Sequence, residues 1–137
     1  MLLPGLGHPD ILSVLAKAGP GDYVVLGNGD YPLETQTYKG ATKVDLNLRL
    51  GQVLVTDVLE AILTVVSVER AFVQYESLDV FKTLLMGKSC QGLDPQVLPL
   101  EVPIIRNIAM SENTVLAVAS GDQRSSNIVL ILDKKYH

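Results

Sequence analysis

AGPGDYVVLGNGDYP, residues 18–32, carries a helix stop, a buried strand and a glycine-spaced polar loop in immediate succession. Gly19 is placed to close a helix as a left-handed residue, and Pro20 prevents continuation. Tyr23–Leu26 then reads as a strand buried through Val24, Val25 and Leu26. Gly27-Asn28-Gly29-Asp30 leaves it as a loop ending at Pro32. Ligands of open α/β sheets sit beyond the carboxyl ends of strands, and Asn28 and Asp30 fall at that place. The glycines flanking Asn28 predict backbone angles or close approaches that a side chain would not permit.

Upstream, Asp10 is an N-cap for a helix through about Ala18, with Ile11, Val14, Leu15 and Ala18 at the spacing of one buried face. Downstream, Thr35–Ala41 is a connecting loop. Val44, Leu46, Leu48 and Leu50 then alternate with Lys43, Asp45, Asn47 and Arg49, which predicts a strand over Thr42–Leu50 ended by Gly51. Thr56 or Asp57 caps a second helix whose apolar face is Val58, Leu59, Ile62, Leu63 and Val66. Arg70–Gln74 is a buried strand, and Ser77 starts a third helix striped by Leu78, Phe81, Leu84 and Leu85 and ended by Gly87. Lys88–Val102, with Pro95 and Pro99, reads as a surface loop. Pro103–Ile108 is a short strand, Met110–Asn113 a turn and Thr114–Ser120 an apolar strand. Gly121–Ser126 is a polar loop, Asn127–Leu132 the last strand and Asp133–His137 a charged tail. Strands alternating with helices predict one α/β domain over residues 1–137, a mixed, mostly parallel sheet flanked by helices.

Composition narrows the function. At 137 residues the chain can bury a core without metals or disulfides. A net charge of −4, with no basic cluster beyond Lys134-Lys135, argues against nucleic acid. No apolar run approaches the ~20 residues that span a bilayer, so no membrane partner is expected. No basic segment precedes Met1–Leu6 as in a signal peptide, so the expected location is the cytoplasm. Two histidines and one cysteine are too few for a zinc site, and Cys90 reads as an ordinary loop residue. Gly87-Lys88-Ser89 lacks the glycine of a phosphate loop, because Lys82 stands there and a helix precedes it.

The order of motifs is more telling. A short N-terminal helix leads to Ala18-Gly19-x-Gly21-Asp22, an apolar strand and a polar loop closing on Pro32. Thr42-Lys43-Val44-Asp45-Leu46-x-Leu48-x-x-Gly51 comes next, then Val55-Thr56-Asp57-Val58-Leu59-Glu60-Ala61-Ile62-Leu63. Val68-Glu69-x-Ala71, Ser120-Gly121-Asp122 and Asn127-Ile128-Val129-Leu130 complete the set. In this order and spacing the chain resembles the ribose pyranase and fucose mutarotase family (RbsD/FucU), most weakly from Lys88 to Thr114. The resemblance implies a compact protomer that forms homo-oligomeric rings, often decamers, with monosaccharide sites between neighbouring subunits. It also implies interconversion of anomers or ring forms of free sugars, with no metal or cofactor.

In the family, proton transfer is associated with a histidine after the first helix, an aspartate after the first strand and a tyrosine two residues before a late asparagine. Here these positions are Pro20, Asn28 and Ser125, and Asn127 alone is intact, in a loop one residue shorter. The resemblance therefore leaves three readings: a retained sugar mutarotase or pyranase, a lapsed member that binds a ligand or serves as a scaffold, and an enzyme of other chemistry on the same pocket. Asp30 is the replacement catalytic carboxylate. Asn28, Tyr31, Arg106, Arg124, Ser125 and Asn127 are the candidate ligand-binding groups. Asp122, like Arg106 and Arg124, also fits a solvated-loop or subunit-contact residue.

Overall fold

The computed structural model describes residues 6–134. Helix α1 (Pro9–Lys17) buries Ile11 and Leu15 and leads into β1 (Tyr23–Gly27), whose Val24, Val25 and Leu26 are fully enclosed. Strand β2 (Thr42–Asp45) follows a long polar loop. Helix α2 (Val55–Ile62) buries Val55, Val58, Leu59 and Ile62, the spacing of one helical face. Strand β3 (Val68–Gln74), a single 3-10 turn and helix α3 (Leu78–Leu85) come next, and Gly87, at φ +72°, stops the chain after α3. Strand β4 (Gln96–Leu100), helix α4 (Val102–Ala109) and strands β5 (Thr114–Ala119) and β6 (Ile128–Leu132) complete the fold.

The six strands form one sheet in the order β2-β5-β1-β6-β3-β4. The β2–β5, β5–β1 and β3–β4 pairs are parallel, and β6 runs antiparallel to both its neighbours. Because Ile128 pairs with both Leu26 and Val73, β6 starts at the end where β1 and β3 finish. The carboxyl ends of five strands and the amino end of the sixth therefore share one rim. Alternation along the strands then divides the core in two. Val24, Leu26, Leu116, Val118 and Leu130 pack against α1, α2 and α3. Val25, Ala117, Ala119 and Val129 pack against Ile105 and Ala109 of α4 and against Tyr31 and Leu33 of the long loop. Among the described residues no helix is long and apolar enough to cross a membrane.

Several local expectations change. His8, not Asp10, caps α1, its Nδ1 accepting from the Ile11 N–H at 3.4 Å. Gly19 is not left-handed. Ala18 ends α1 in extended conformation, Gly19 donates its N–H to Asp22 Oδ2 at 2.8 Å, and Gly21 holds the positive φ of +87°. The strand expected over Thr42–Leu50 stops at Asp45, whose Oδ1 accepts from the Asn47 N–H at 2.9 Å and turns the chain. Leu48 and Leu50 consequently stand 94% and 73% exposed. Leu54 is the cap position of α2, and Asp57 serves from three residues inside by accepting the Leu54 N–H.

The segment Lys88–Val102 is not merely a loop, because β4 lies within it as an edge strand beside β3. An edge tolerates Pro99, whose missing N–H is not needed by a partner. Pro103–Ile108 is helical rather than extended. Pro103 sits in the first turn of α4, where it favours a helix start, and Ile105 and Ala109 are buried four residues apart. The charged tail expected over 133–137 lies outside the described residues from 135 onward.

Candidate functional site

At the shared rim, β1 hands over to the Asn28–Pro32 loop, β5 to the Ser120–Asn127 loop and β3 to the turn before α3. Gly27 explains the first exit. A Cβ there would lie 2.5 Å from Tyr31 Cβ, so the loop folds directly over the strand end. Neither Gly27 nor Gly29 has a positive φ, so close approach, not an unusual backbone angle, is what these glycines supply. The Gly29 N–H donates to the Asp122 carbonyl at 2.8 Å, which ties the loop to its neighbour after β5.

Asn28, Asn127 and Gln74 form a chain of amides across this rim. The Asn28 N–H donates to Asn127 Oδ1 at 2.8 Å, and Asn127 Nδ2 donates to Gln74 Oε1 at 2.9 Å. The Gln74 N–H in turn donates to the Asn127 carbonyl at 2.8 Å. Asn28 Nδ2 donates to the Arg124 carbonyl at 2.9 Å, while its Oδ1 accepts from the Asp30 N–H at 3.2 Å. Asn127 and Gln74 are buried, so their amides act as internal struts. The two asparagines proposed as ligand groups thus spend these donors and acceptors on holding three loop exits together.

Asp122 is a second anchor, and it is not a solvated-loop carboxylate: it is buried. Its Oδ1 accepts from the Arg124 N–H at 2.9 Å and from Arg124 Nε at 3.0 Å. Its Oδ2 accepts from Arg124 Nη2 at 3.0 Å and from the Val55 N–H, at the start of α2, at 3.1 Å. Burial alone would raise this carboxyl. The hydrogen bonds from Arg124 and Val55, with the guanidinium charge, outweigh burial and hold it at about 2. The same pairing raises Arg124. Arg124 remains half exposed, oriented by the carboxylate beneath it. With Thr56, Ser77 and Ser125 it lines a cleft of about 360 Å³, and Ser77 Oγ donates to the Ser125 carbonyl on its floor.

The remaining candidates separate. Asp30 is exposed on the β1 loop, with its backbone fixed by Asn28. Tyr31 is buried on the α4 side of the sheet. Its hydroxyl donates to the Gln36 carbonyl at 2.7 Å, and burial pushes its pKa up to about 12, against smaller lowering effects from Thr37 and Arg106. Arg106 belongs to α4, and its guanidinium lies 5.8 Å from the Tyr31 ring centroid. The structure therefore brings Asn28, Arg124, Ser125 and Asn127 together and places Tyr31 and Arg106 against the opposite face. Pro20 precedes β1 whereas Asn28 follows it. A strand length of ~16 Å separates them within one copy.

One contributor, Gln74, escaped the sequence reading, since it carries no signal beyond being the polar end of an apolar strand. Asp122 is singled out by its place in Ser120-Gly121-Asp122, but not as the buried anchor of the loop.

The sequence model of the RbsD / FucU transport protein family matches residues 1–131. A D-ribose pyranase of Variovorax paradoxus (strain S110) is 31% identical over 85 residues, covering 62% of this chain and 61% of that protein. The alignment thus spans less than two thirds of that relative. Among solved structures, Bacillus subtilis RbsD complexed with D-ribose superposes with a TM-score of 0.79 at 16% identity, over 99% of this chain and 100% of that one. The fucose mutarotase from Streptococcus pneumoniae in complex with L-fucose gives 0.70 at 19% identity, over 92% of each chain. At these identities the superpositions establish a shared fold.

Proposed function

Because this chain belongs to the RbsD/FucU family, we propose that it binds a free monosaccharide at the shared rim of its sheet and interconverts the sugar's anomers or ring forms without a cofactor. The observation that carries the reading is that, in a chain matched to that family over 1–131, Arg124 and Ser125 line a strand-end cleft on a loop that Asn28 and Asn127 brace from behind. Relatives of the fold hold D-ribose and L-fucose, which supports a free monosaccharide as the substrate class.

Anomer exchange requires loss of the proton on the anomeric hydroxyl and gain of one by the ring oxygen. The ring C–O bond then breaks to the open aldehyde, and closure on the other face returns both protons. Asp30 does not line the Arg124–Ser125 cleft, but it is the exposed carboxylate two residues beyond Asn28 on the adjoining β1 loop, and on this reading it takes the first proton. Tyr31 is no donor for the second, since its hydroxyl faces Gln36 and its pKa is pushed up to about 12. Solvent water supplies it. Arg124, pinned on Asp122, and Ser125 orient sugar hydroxyls. Pro20 and Asn28 lie at opposite ends of β1, so a family-type site using both positions is completed between two copies, in keeping with a homo-oligomeric ring.

Magnetization-exchange spectroscopy on ribose, fucose and a panel of other free sugars tests this. Exchange faster than in buffer, and reduced at least tenfold by Asp30→Asn, is expected. Buffer-rate exchange over the whole panel refutes the activity.

A second reading, binding without turnover, is favoured by one observation. Asn28 carries an amide where the resemblance implies a carboxylate, and both ends of its side chain are hydrogen-bonded within the protein. Saturation-transfer contacts to a sugar whose exchange stays at the buffer rate would select it.

A further inference from the structure

We infer that the loop 46–53 of one copy seats in the cleft at the β4 edge of a second copy of this chain, placing its two exposed leucines on apolar walls and Arg49 against a glutamate rim. The loop presents Leu48 and Leu50 at 94% and 73% exposure, with Arg49 between them. It is not a slack segment. The Leu46 N–H donates to the Ala119 carbonyl and the Gly51 N–H to the Gly121 carbonyl, each at 2.7 Å, and the Gly121 N–H donates back to Gln52 at 3.1 Å. Packing is so close that a Cβ on Gly121 would lie 2.3 Å from the Gln52 oxygen and 2.5 Å from that of Arg49. Val53, a β-branched residue, is held at φ +56°, a conformation it adopts only under constraint. A backbone fixed in this way and holding two leucines out to solvent is built for a partner surface.

The matching surface lies at the opposite edge of the sheet. A cleft of about 520 Å³ opens where β4 meets α4, walled by Tyr75, Pro99, Leu100 and Val102 and rimmed by Glu76 and Glu101. Tyr75 is 69% exposed there. Among the described residues the only ion pair is Arg124–Asp122, so Arg49, Glu76 and Glu101 have no ion-pair partner among them. A basic residue between two leucines complements an apolar cleft with an acidic rim. The loop cannot reach its own cleft, because β2 and β4 are the two outer strands of a six-stranded sheet, ~24 Å apart. Contact between unlike edges is heterologous, and repetition with a closing rotation makes a ring. Glu76 also lines the Arg124–Ser125 cleft, so the seated loop forms part of the wall beside the proposed sugar site. The inference rests on the assembly part of the proposed function and not on its chemistry.

Light scattering after size exclusion, on the full chain at micromolar concentration, tests it, with circular dichroism confirming that each variant is folded. Wild type is expected above dimer mass, and Leu48→Asp with Leu50→Asp is expected to lower the mass to that of one 14.8 kDa chain. Arg49→Glu is expected to do the same, and adding Glu76→Arg and Glu101→Arg to it is expected to restore the larger species. A wild-type assembly that survives both loop variants overturns this surface assignment while leaving assembly intact. A wild-type monomer overturns the assembly reading as well.

Discussion

Asp122→Asn tests whether one buried carboxylate organises the rim. The native group accepts four hydrogen bonds, three from Arg124 and one from the Val55 N–H. A carboxyl held at about 2 against an ordinary 3.8 corresponds to about 2.4 kcal/mol. Solvent around the half-exposed guanidinium screens part of this, leaving ~1–2 kcal/mol. An asparagine offers one oxygen and turns an N–H group toward donors, which adds ~1 kcal/mol. The variant is therefore expected to be ~2–3 kcal/mol less stable at pH 7.

The pH dependence follows from the direction of the shift. The folded pKa is depressed, so the electrostatic share is fully present above about pH 4 and is lost as pH falls toward 2. The variant has no such group, so the gap between the two proteins should narrow to ~1 kcal/mol at pH 2, while other carboxylates largely cancel. Urea unfolding followed by circular dichroism, at one protein concentration from pH 7 to pH 2, measures the gap. A gap that keeps its neutral-pH size at pH 2, or widens, refutes the reasoning.

Gly121→Ala places a Cβ against two backbone oxygens that cannot rotate away. It should cost ~1–3 kcal/mol and lower the thermal midpoint by several degrees; an unchanged midpoint would contradict the close approach. Asn127→Ala removes the acceptor for the Asn28 N–H and the donor to Gln74, both at a buried site. About 2–3 kcal/mol of stability should be lost in denaturant titration, and a loss below ~0.5 kcal/mol would show that the amide chain does not brace the rim. Joint replacement Pro20→His, Asn28→Asp and Ser125→Tyr should raise sugar exchange at least tenfold over wild type. A folded variant at the wild-type rate would count against simple loss of proton carriers.

The sequence made the central strands legible because β1, β5 and β6 are buried on both faces and read as continuous apolar runs. Helices α1, α2 and α3 were visible because each buries one face at helical spacing. Legibility failed at the sheet edges. Alternation over 42–50 imitated a strand, yet Asp45 captures the Asn47 N–H and the leucines beyond it point to solvent. Pro99 hid β4, because a proline excludes a central strand but not an edge. Two adjacent isoleucines made α4 look extended, although Ile105 and Ala109 already marked a helical face. In the site, the meeting of the β1 and β5 loops could be inferred from a strand–loop pattern, but the inward use of Asn28 and Asn127 could not. Whether an amide faces a ligand or a neighbouring loop depends on distances that spacing in a chain does not encode.

That inward use bears on how positions 28 and 125 relate. Asn28 Nδ2 donates to the Arg124 carbonyl, which also accepts from Ser126 Oγ at 3.3 Å. An aspartate at 28 could still accept the Asp30 N–H, but it would turn an acceptor toward that carbonyl. The 121–126 loop, shaped by Asp122 gripping Arg124, therefore demands a donor at position 28. Asn28 and the loop that carries Ser125 are one structural unit. On this ground Asn28→Asp alone should destabilise the rim by ~1–2 kcal/mol. Pro20, at the far end of β1, lies outside that unit.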